Sequence, residues 1–276
     1  MNKTIKTSTA LVAIAAAALI TPQIANAALM AHWSMDGGTV PNASPATLSD
    51  VSGNGYDLNK VGSSTTYATG VSGTGLQTPT YQEVVASGNS ALALEGGSAV
   101  TLSAWVWLKG DDSDNDFTGS QGIAGFSGTG SGSDSYAFTT TGNGMRWSYF
   151  ADNQRNLDAN FTPDANGAWY HFVGVYEDGV GGAIYVNGVL ASSNTTTTDG
   201  KLSSTRTGLK FGIGTYTNSA SYTSKKLQDD VQVYDEALTL PQIQSLYNNP
   251  GSVIPEPSTT ALLGLGGLAL ILRRRK

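Results

Sequence analysis

The sequence predicts an all-β protein, a two-sheet antiparallel sandwich with one short C-terminal helix, held between two end segments of different composition. Three observations predict it. Only 13% of the residues are charged while 34 of the 276 are glycine, which leaves too few charged side chains to clothe a helical bundle. Strand-length apolar runs recur between clusters of Gly, Ser, Asn and Asp. Cysteine is absent, so no disulfide framework exists, yet roughly 220 residues between the ends are enough to bury a two-sheet core without one.

In chain order, residues 1–27 read as a secretory signal. Lys3 and Lys6 open it, Ala10–Ile20 is apolar throughout, and Ala25-Asn26-Ala27 gives the small-x-small cleavage pattern. One domain follows, over residues 28–250. Thr101–Lys109 alternates, with Leu102, Ala104, Val106 and Leu108 on one face and Trp105 and Trp107 on the other. Residues Gly110–Ser120 and Gly125–Ser135 read as long loops inside the domain, because strands resume on both sides. Trp169–Glu177 is apolar on both faces, as a central strand is. Ala183–Val186 and Val189–Ser192 flank Asn187-Gly188, the strongest short hairpin signal. Leu209–Ile213 turns Leu209, Phe211 and Ile213 inward, and Leu227–Tyr234 turns Val231 and Val233 inward. The helix starts at Thr239, with Pro241 in its first turn, Gln242 three residues after the cap, and Ile243, Leu246 and Tyr247 facing the sandwich.

The last segment, residues 251–276, has three parts. Pro255-Glu256-Pro257 comes first, then an uncharged stretch with the apolar run Ala261–Leu272, then Arg273-Arg274-Arg275-Lys276. The run is a short transmembrane helix candidate, and the basic cluster would stay on the cytoplasmic side. This tail resembles the PEP-CTERM sorting signal of Gram-negative bacteria. The resemblance implies recognition by an exosortase-type membrane enzyme, membrane anchoring before processing, and delivery to the cell surface, outer envelope or extracellular matrix.

Charge narrows the function. The two end segments hold six of the 15 basic residues and one of the 21 acidic ones, so residues 28–250 carry 9 basic and 20 acidic groups. An acidic surface repels phosphate backbones, which disfavours nucleic acid as a partner.

Several fragments then occur in the order found in laminin G-like (LamG-like) domains. They are Leu29–Asp36 with Ser52-Gly-Asn-Gly55, Thr101–Val106, Trp169-Tyr-His171, Ala183–Gly188, and Leu227–Leu238 with the Ile243–Tyr247 helix. Residues 29–247 thus resemble the concanavalin A-like lectin/glucanase superfamily. That implies a jelly-roll of two curved sheets, a fold that hosts lectins, adhesion modules and hydrolases alike.

No catalytic set stands out. The alternating Glu-x-Asp-x-Glu of the related glucanases is missing, although carboxyls from distant strands can also form a pair. There is no Gly-x-Ser-x-Gly elbow, and His171, between Trp169 and Val173 on a strand face, reads as a packed histidine. Calcium is the metal that related modules bind. Asp229, placed on the face of Val231 and Val233, and Asp230, facing the other way, are its candidate ligands with Asp36, Asp50 and Asn54. The run Asp111, Asp112, Asp114 and Asp116 lacks the Gly and Glu of an EF-hand and reads as a solvated loop. For a polysaccharide or other matrix ligand the candidate contacts are the aromatics Trp105, Trp107, Trp147 and Tyr149, with Tyr216 and Tyr222, whereas Trp33 and Trp169 are expected in the core. The expectation is a non-catalytic surface module; a divergent glycoside hydrolase and a structural matrix protein without a ligand site are the alternatives.

Overall fold

The structure, a computed structural model, describes residues 28–36, 47–60, 66–77, 84–85, 90–110, 121–129, 135–142, 144–205, 207–214 and 226–255. The expected signal segment, Asp111–Asp116, Tyr216, Tyr222, Glu256-Pro257, the apolar run Ala261–Leu272 and Arg273, Arg274 and Arg275 lie outside these. Among the described residues no helix is long and apolar enough to cross a membrane.

The chain opens with short strands: β1 (Leu29–Trp33), β2 (Thr47–Leu48), β3 (Leu58–Lys60), β4 (Thr66–Thr69), β5 (Thr74–Gln77) and β6 (Val84–Val85). Longer ones follow: β7 (Ala99–Leu108), β8 (Gly122–Thr129), β9 (Tyr136–Thr141), β10 (Gly144–Ala151), β11 (Asn153–Asn160) and β12 (Ala168–Glu177). Then come β13 (Gly181–Val186), β14 (Val189–Asn194), β15 (Thr207–Ile213) and β16 (Leu227–Tyr234), and helix α1 (Leu240–Asn248). They form two antiparallel sheets. One has the order β14-β13-β12-β7-β16-β5-β4, with β1 also on β16; the other is β11-β10-β9-β8-β15-β6-β3-β2. Sequence-distant neighbours in both sheets, such as β7 between β12 and β16, are what a jelly-roll requires.

The hairpin over Asn187-Gly188 forms as expected, with both residues at positive φ, 51° and 74°. Alternation also holds. Leu102, Ala104, Val106 and Leu108 are buried in the core between the sheets with Phe211, Ile213, Val231 and Val233. The side chain of Leu209 lies outside the described set. Helix α1 packs Ile243 and Leu246 onto Val173, Val175 and Tyr234, on the outer face of the first sheet. Gln242 Oε1 accepts from the backbone N–H and hydroxyl of Thr239 at the helix start. Strand β12 is thus apolar on both faces, because one faces the core and the other faces the helix.

One expectation fails. Residues 125–129, expected in a loop, belong to β8. Gly125 lies against Ala137 of β9, where an added Cβ would stand 2.5 Å from the Ala137 Cα. A glycine-rich stretch reads as a loop by composition, but here the missing side chain lets two backbones close up.

Candidate functional site

Strand register decides which aromatic side chains stand together. Trp169 of β12 pairs with Trp107 of β7, and Trp107 pairs with Leu227 of β16. Leu227 pairs with Gln77 of β5, which pairs with Thr66 of β4. Directly opposed residues share a face, so these five side chains form one row across the outer face of the first sheet. Four inter-strand steps of about 4.8 Å make it about 19 Å long. Trp107 is 36% exposed. Trp169 and Leu227 are half-buried, and Gln77 and Thr66 are exposed. The Trp107 and Trp169 rings meet edge to face, centroids 5.9 Å apart. Two glycines let them lie low: a Cβ on Gly167, at φ +85°, would stand 2.7 Å from the Trp107 ring, and one on Gly75 would stand 3.2 Å from Trp169. The exposed turn Asp164–Asn166 precedes Gly167.

The next row is closed. Trp105 pairs with His171 and Asp229. Its ring stacks on His171 at 4.9 Å and on Tyr247 of α1 at 5.7 Å, and only 4% of it is exposed. The helix therefore covers Trp105 and stops short of Trp107. Beneath it Ser103 Oγ and His171 Nε2 lie 2.8 Å apart. This pair has the spacing of a nucleophile and base, but each residue is 1% exposed, so no substrate reaches it. Burial lowers the His171 pKa from 6.5 to about 4 and keeps the ring neutral.

Trp147 and Tyr149 are not surface residues. Both are fully buried, Trp147 Nε1 donates to Val175 O across the sandwich, and Tyr149 stacks on Tyr176. Their alternation along β10 looks the same from either side; only pairing with Phe138 and Tyr136 of β9 shows which side is the core. The opposite error occurs at Trp169, expected in the core and found beside Trp107. The open outer side of β10 and β11 is polar instead, with Arg146 bound to both oxygens of Asp158 and Ser148 Oγ to Asn156. The Arg146 hydrogen bond holds the Asp158 carboxyl below its ordinary pKa.

The acidic residues expected to gather round a cation each hold backbone instead. Asp36 Oδ1 accepts from Thr74 N. Asp50 accepts from the N–H groups of His32, Ser52 and Tyr56 and from the Ser52 hydroxyl. Burial alone would raise the Asp50 pKa, but these donors bring it below the ordinary value. Asn54 donates to the carbonyls of Leu29 and Met30. Asp229 Oδ2 accepts from Val71 and Ser72, and its Oδ1 from Asp230 N. Asp230 Oδ1 lies 2.6 Å from His32 Nε2 and accepts from Gln232 Nε2, while Oδ2 accepts from Gly251 N. Among the described residues no three acidic or histidine side chains converge as a ligand set.

The face expected for Asp229 is also wrong. Asp229 pairs with Trp105 and Gln232 with Ser103, so β16 carries one extra residue between them. This is a β-bulge, with Asp230 at φ +49°. Asp229 therefore lies on the outer side with Trp105, and not with Val231 and Val233. The bulge sits where β16 leaves β5, its neighbour at Leu227 and Gln228, and takes up β1, its neighbour from Val231.

Burial pushes the Asp229 pKa from 3.8 up to about 7, with Asp230 adding to the push and three N–H donors pulling against it. The folded carboxyl thus keeps its proton to a higher pH than the unfolded one, so its contribution to stability falls as pH rises from about 4 to about 7 and is level above that. His171 acts in the opposite sense between about 4 and 6.5. Asp229→Asn removes only the first effect. The expected result is a melting-temperature difference, variant minus wild type, that grows in the variant's favour from pH 4.5 to 7.5; a constant difference would show that Asp229 does not titrate there.

A profile of the concanavalin A-like lectin/glucanases superfamily, of the laminin G type, matches residues 78–244, and one of the PEP-CTERM protein-sorting motif matches residues 253–276. No curated protein matches the sequence. Among solved structures, domain 4 of AbnA, a GH43 extracellular arabinanase of Geobacillus stearothermophilus in complex with arabinotriose, is similar at 20% identity and a TM-score of 0.56, covering 80% of this chain and 99% of that one. The binding domain of Paraclostridial Mosquitocidal Protein 1 is similar at 14% identity and a TM-score of 0.60, covering 80% of this chain and 52% of that one. Trypanosoma rangeli sialidase in complex with the inhibitor DANA is similar at 16% identity and a TM-score of 0.51, covering 79% of this chain and 32% of that one. The chain thus spans about half of the toxin domain and a third of the sialidase, and at these identities the likeness is one of fold. With the superfamily profile covering more than half of its length, the chain belongs to the concanavalin A-like lectin/glucanases superfamily, and it carries a PEP-CTERM protein-sorting motif at its C-terminal end.

Proposed function

We propose that this exported chain is a non-catalytic module that binds polysaccharide of the cell surface or extracellular matrix on the row Trp169, Trp107, Leu227, Gln77 and Thr66. The observation that carries the reading is the open aromatic pair, flanked by uncharged hydrogen-bonding side chains, directly beside a helix that closes the next row. Sugar rings offer apolar C–H faces to aromatic side chains and hydroxyls to amides and alcohols, and this row offers both complements. Similarity to a domain whose structure is in complex with arabinotriose makes neutral oligosaccharides the first ligands to try. The proposal does not depend on Ca²⁺. Sorting by an exosortase-type enzyme puts the module outside the cytoplasm; the Gram-negative envelope is the setting that the tail suggests.

Tryptophan fluorescence titrations with arabino- and gluco-oligosaccharides test the reading. Trp107→Ala is expected to weaken binding about tenfold or more, the loss of one stacking contact of about 1.5 kcal/mol. The same change costs only about 1 kcal/mol of stability, since the ring is partly in water already. Binding that survives Trp107→Ala removes this row from the function. Release of reducing ends from any of these sugars by the purified chain would make it a hydrolase instead.

A further inference from the structure

The two ends of the row on the first sheet are held by different means. Trp169 and Trp107 stand on β12 and β7, which pair over their whole lengths, and Leu227 stands on β16 beside them. Gln77 and Thr66 stand on the β4–β5 hairpin at the sheet edge. β5 pairs with β16 at Leu227–Gln77 and Gln228–Leu76, and the bulge of β16 follows at once. A two-stranded hairpin is marginal by itself, and so short a ladder does little to fix its place.

The turn of the hairpin, residues 70–73, supplies the missing hold. Gly70 N donates to Gly73 O at 3.0 Å, and Gly73 takes φ +60°. The other N–H groups of the turn reach two carboxylates from opposite ends of the chain. Val71 N and Ser72 N donate to Asp229 Oδ2 at 2.9 and 3.2 Å. Thr74 N donates to Asp36 Oδ1 at 3.0 Å, and Thr74 Oγ1 donates to Met35 O at 2.6 Å. Glycine is needed at both corners. A Cβ on Gly70 would stand 2.3 Å from Asp229 Oδ2, and one on Gly73 would stand 1.9 Å from Asp36 Oδ1. Asp229 is fully buried and Asp36 is exposed, so the turn is gripped from below and from its rim.

Successive rings of an extended linear sugar chain repeat at close to the inter-strand step of about 4.8 Å. Three rings therefore cover Trp169, Trp107 and Leu227, whereas five also reach Gln77 and Thr66. Two further neutral hydrogen bonds amount to about a tenfold gain in affinity.

We propose that Asp229 and Asp36 are positioning residues that set ligand length: they seat the β4–β5 hairpin so that Gln77 and Thr66 continue the row, and the module thereby prefers linear neutral chains of about five sugar units to shorter ones. This inference rests on the row being the binding surface.

Fluorescence titrations of the full chain in detergent at pH 8, with linear arabino- and gluco-oligosaccharides of three and five units, test it. The wild type is expected to bind five units about tenfold more tightly than three. In Asp229→Ala the five-unit affinity is expected to fall to within about twofold of the three-unit affinity, which itself stays within about twofold of wild type. Asp36→Ala is expected to act in the same direction, and because Asp36 is exposed it decides the matter if Asp229→Ala does not fold. No gain with length in the wild type, an equal loss at both lengths, or no loss in either variant overturns the inference and leaves the row standing. No binding of either length, or three-unit binding that survives Trp107→Ala, removes the row and the inference with it.

Discussion

Asp230→Ala is expected to cost about 3–5 kcal/mol, because His32 Nε2, Gln232 Nε2 and Gly251 N would each lose a hydrogen-bond partner, at about 1–3 kcal/mol for each group left unsatisfied. For a domain of this size that lowers the melting temperature by roughly 10 °C. The reason is that one carboxylate serves three separate parts of the chain. It sits on β16, holds His32 of β1 almost two hundred residues away in sequence, steadies Gln232 beside it, and accepts from the Gly251 N–H just after α1. Without it the His32 ring, 5% exposed, stays buried with no acceptor. Asp230→Asn retains one acceptor oxygen and is expected to lose about half as much. Thermal melts followed by circular dichroism give the numbers; a loss below 1 kcal/mol for the alanine variant would mean that the network contributes little to stability.

Trp147→Ala is expected to cost a similar 3–5 kcal/mol, through a cavity. The ring lies across Gly174, where even a Cβ would come within 2.2 Å of it, and it packs on Phe138, Tyr136 and Tyr149. Its N–H donor to Val175 O is lost as well. Sugar binding, measured well below the melting temperature, should not change. A variant that kept its stability and lost its ligand would return Trp147 to the binding surface.

These two residues show how far the sequence reads. Trp147 and Trp107 both alternate with polar or apolar neighbours on a strand, and both are the residue type that stacks on sugars. Trp107 is open because α1 ends its cover at Trp105, and that cover comes from residues some 140 positions later. Trp169 was legible as a strand residue but not as the partner of Trp107, since only antiparallel register sets the two opposite each other. The five acidic and amide residues read as calcium ligands are all tied to backbone, the four aspartates accepting from N–H groups and Asn54 donating to carbonyls, because polar side chains near turns pair with backbone readily. The outward spacing of Asp230, Gln232 and Tyr234 was visible in the sequence, but nothing in it named Gly251, Ser252 and Ile254 as the residues they bond.

By itself the sequence determined the all-β class, the Asn187-Gly188 hairpin, the capped helix, the superfamily and the sorting tail. Each of these rests on local chemistry: period-two alternation, a turn that needs positive φ, a capping pattern, a contiguous motif. Tertiary structure alone decided which tryptophans meet solvent and which face Asp229 takes. Those depend on what each strand is paired with and what lies over it. β16 changes partner from β5 to β1 at Asp230, and the bulge made there turns two neighbouring aspartates to the same side.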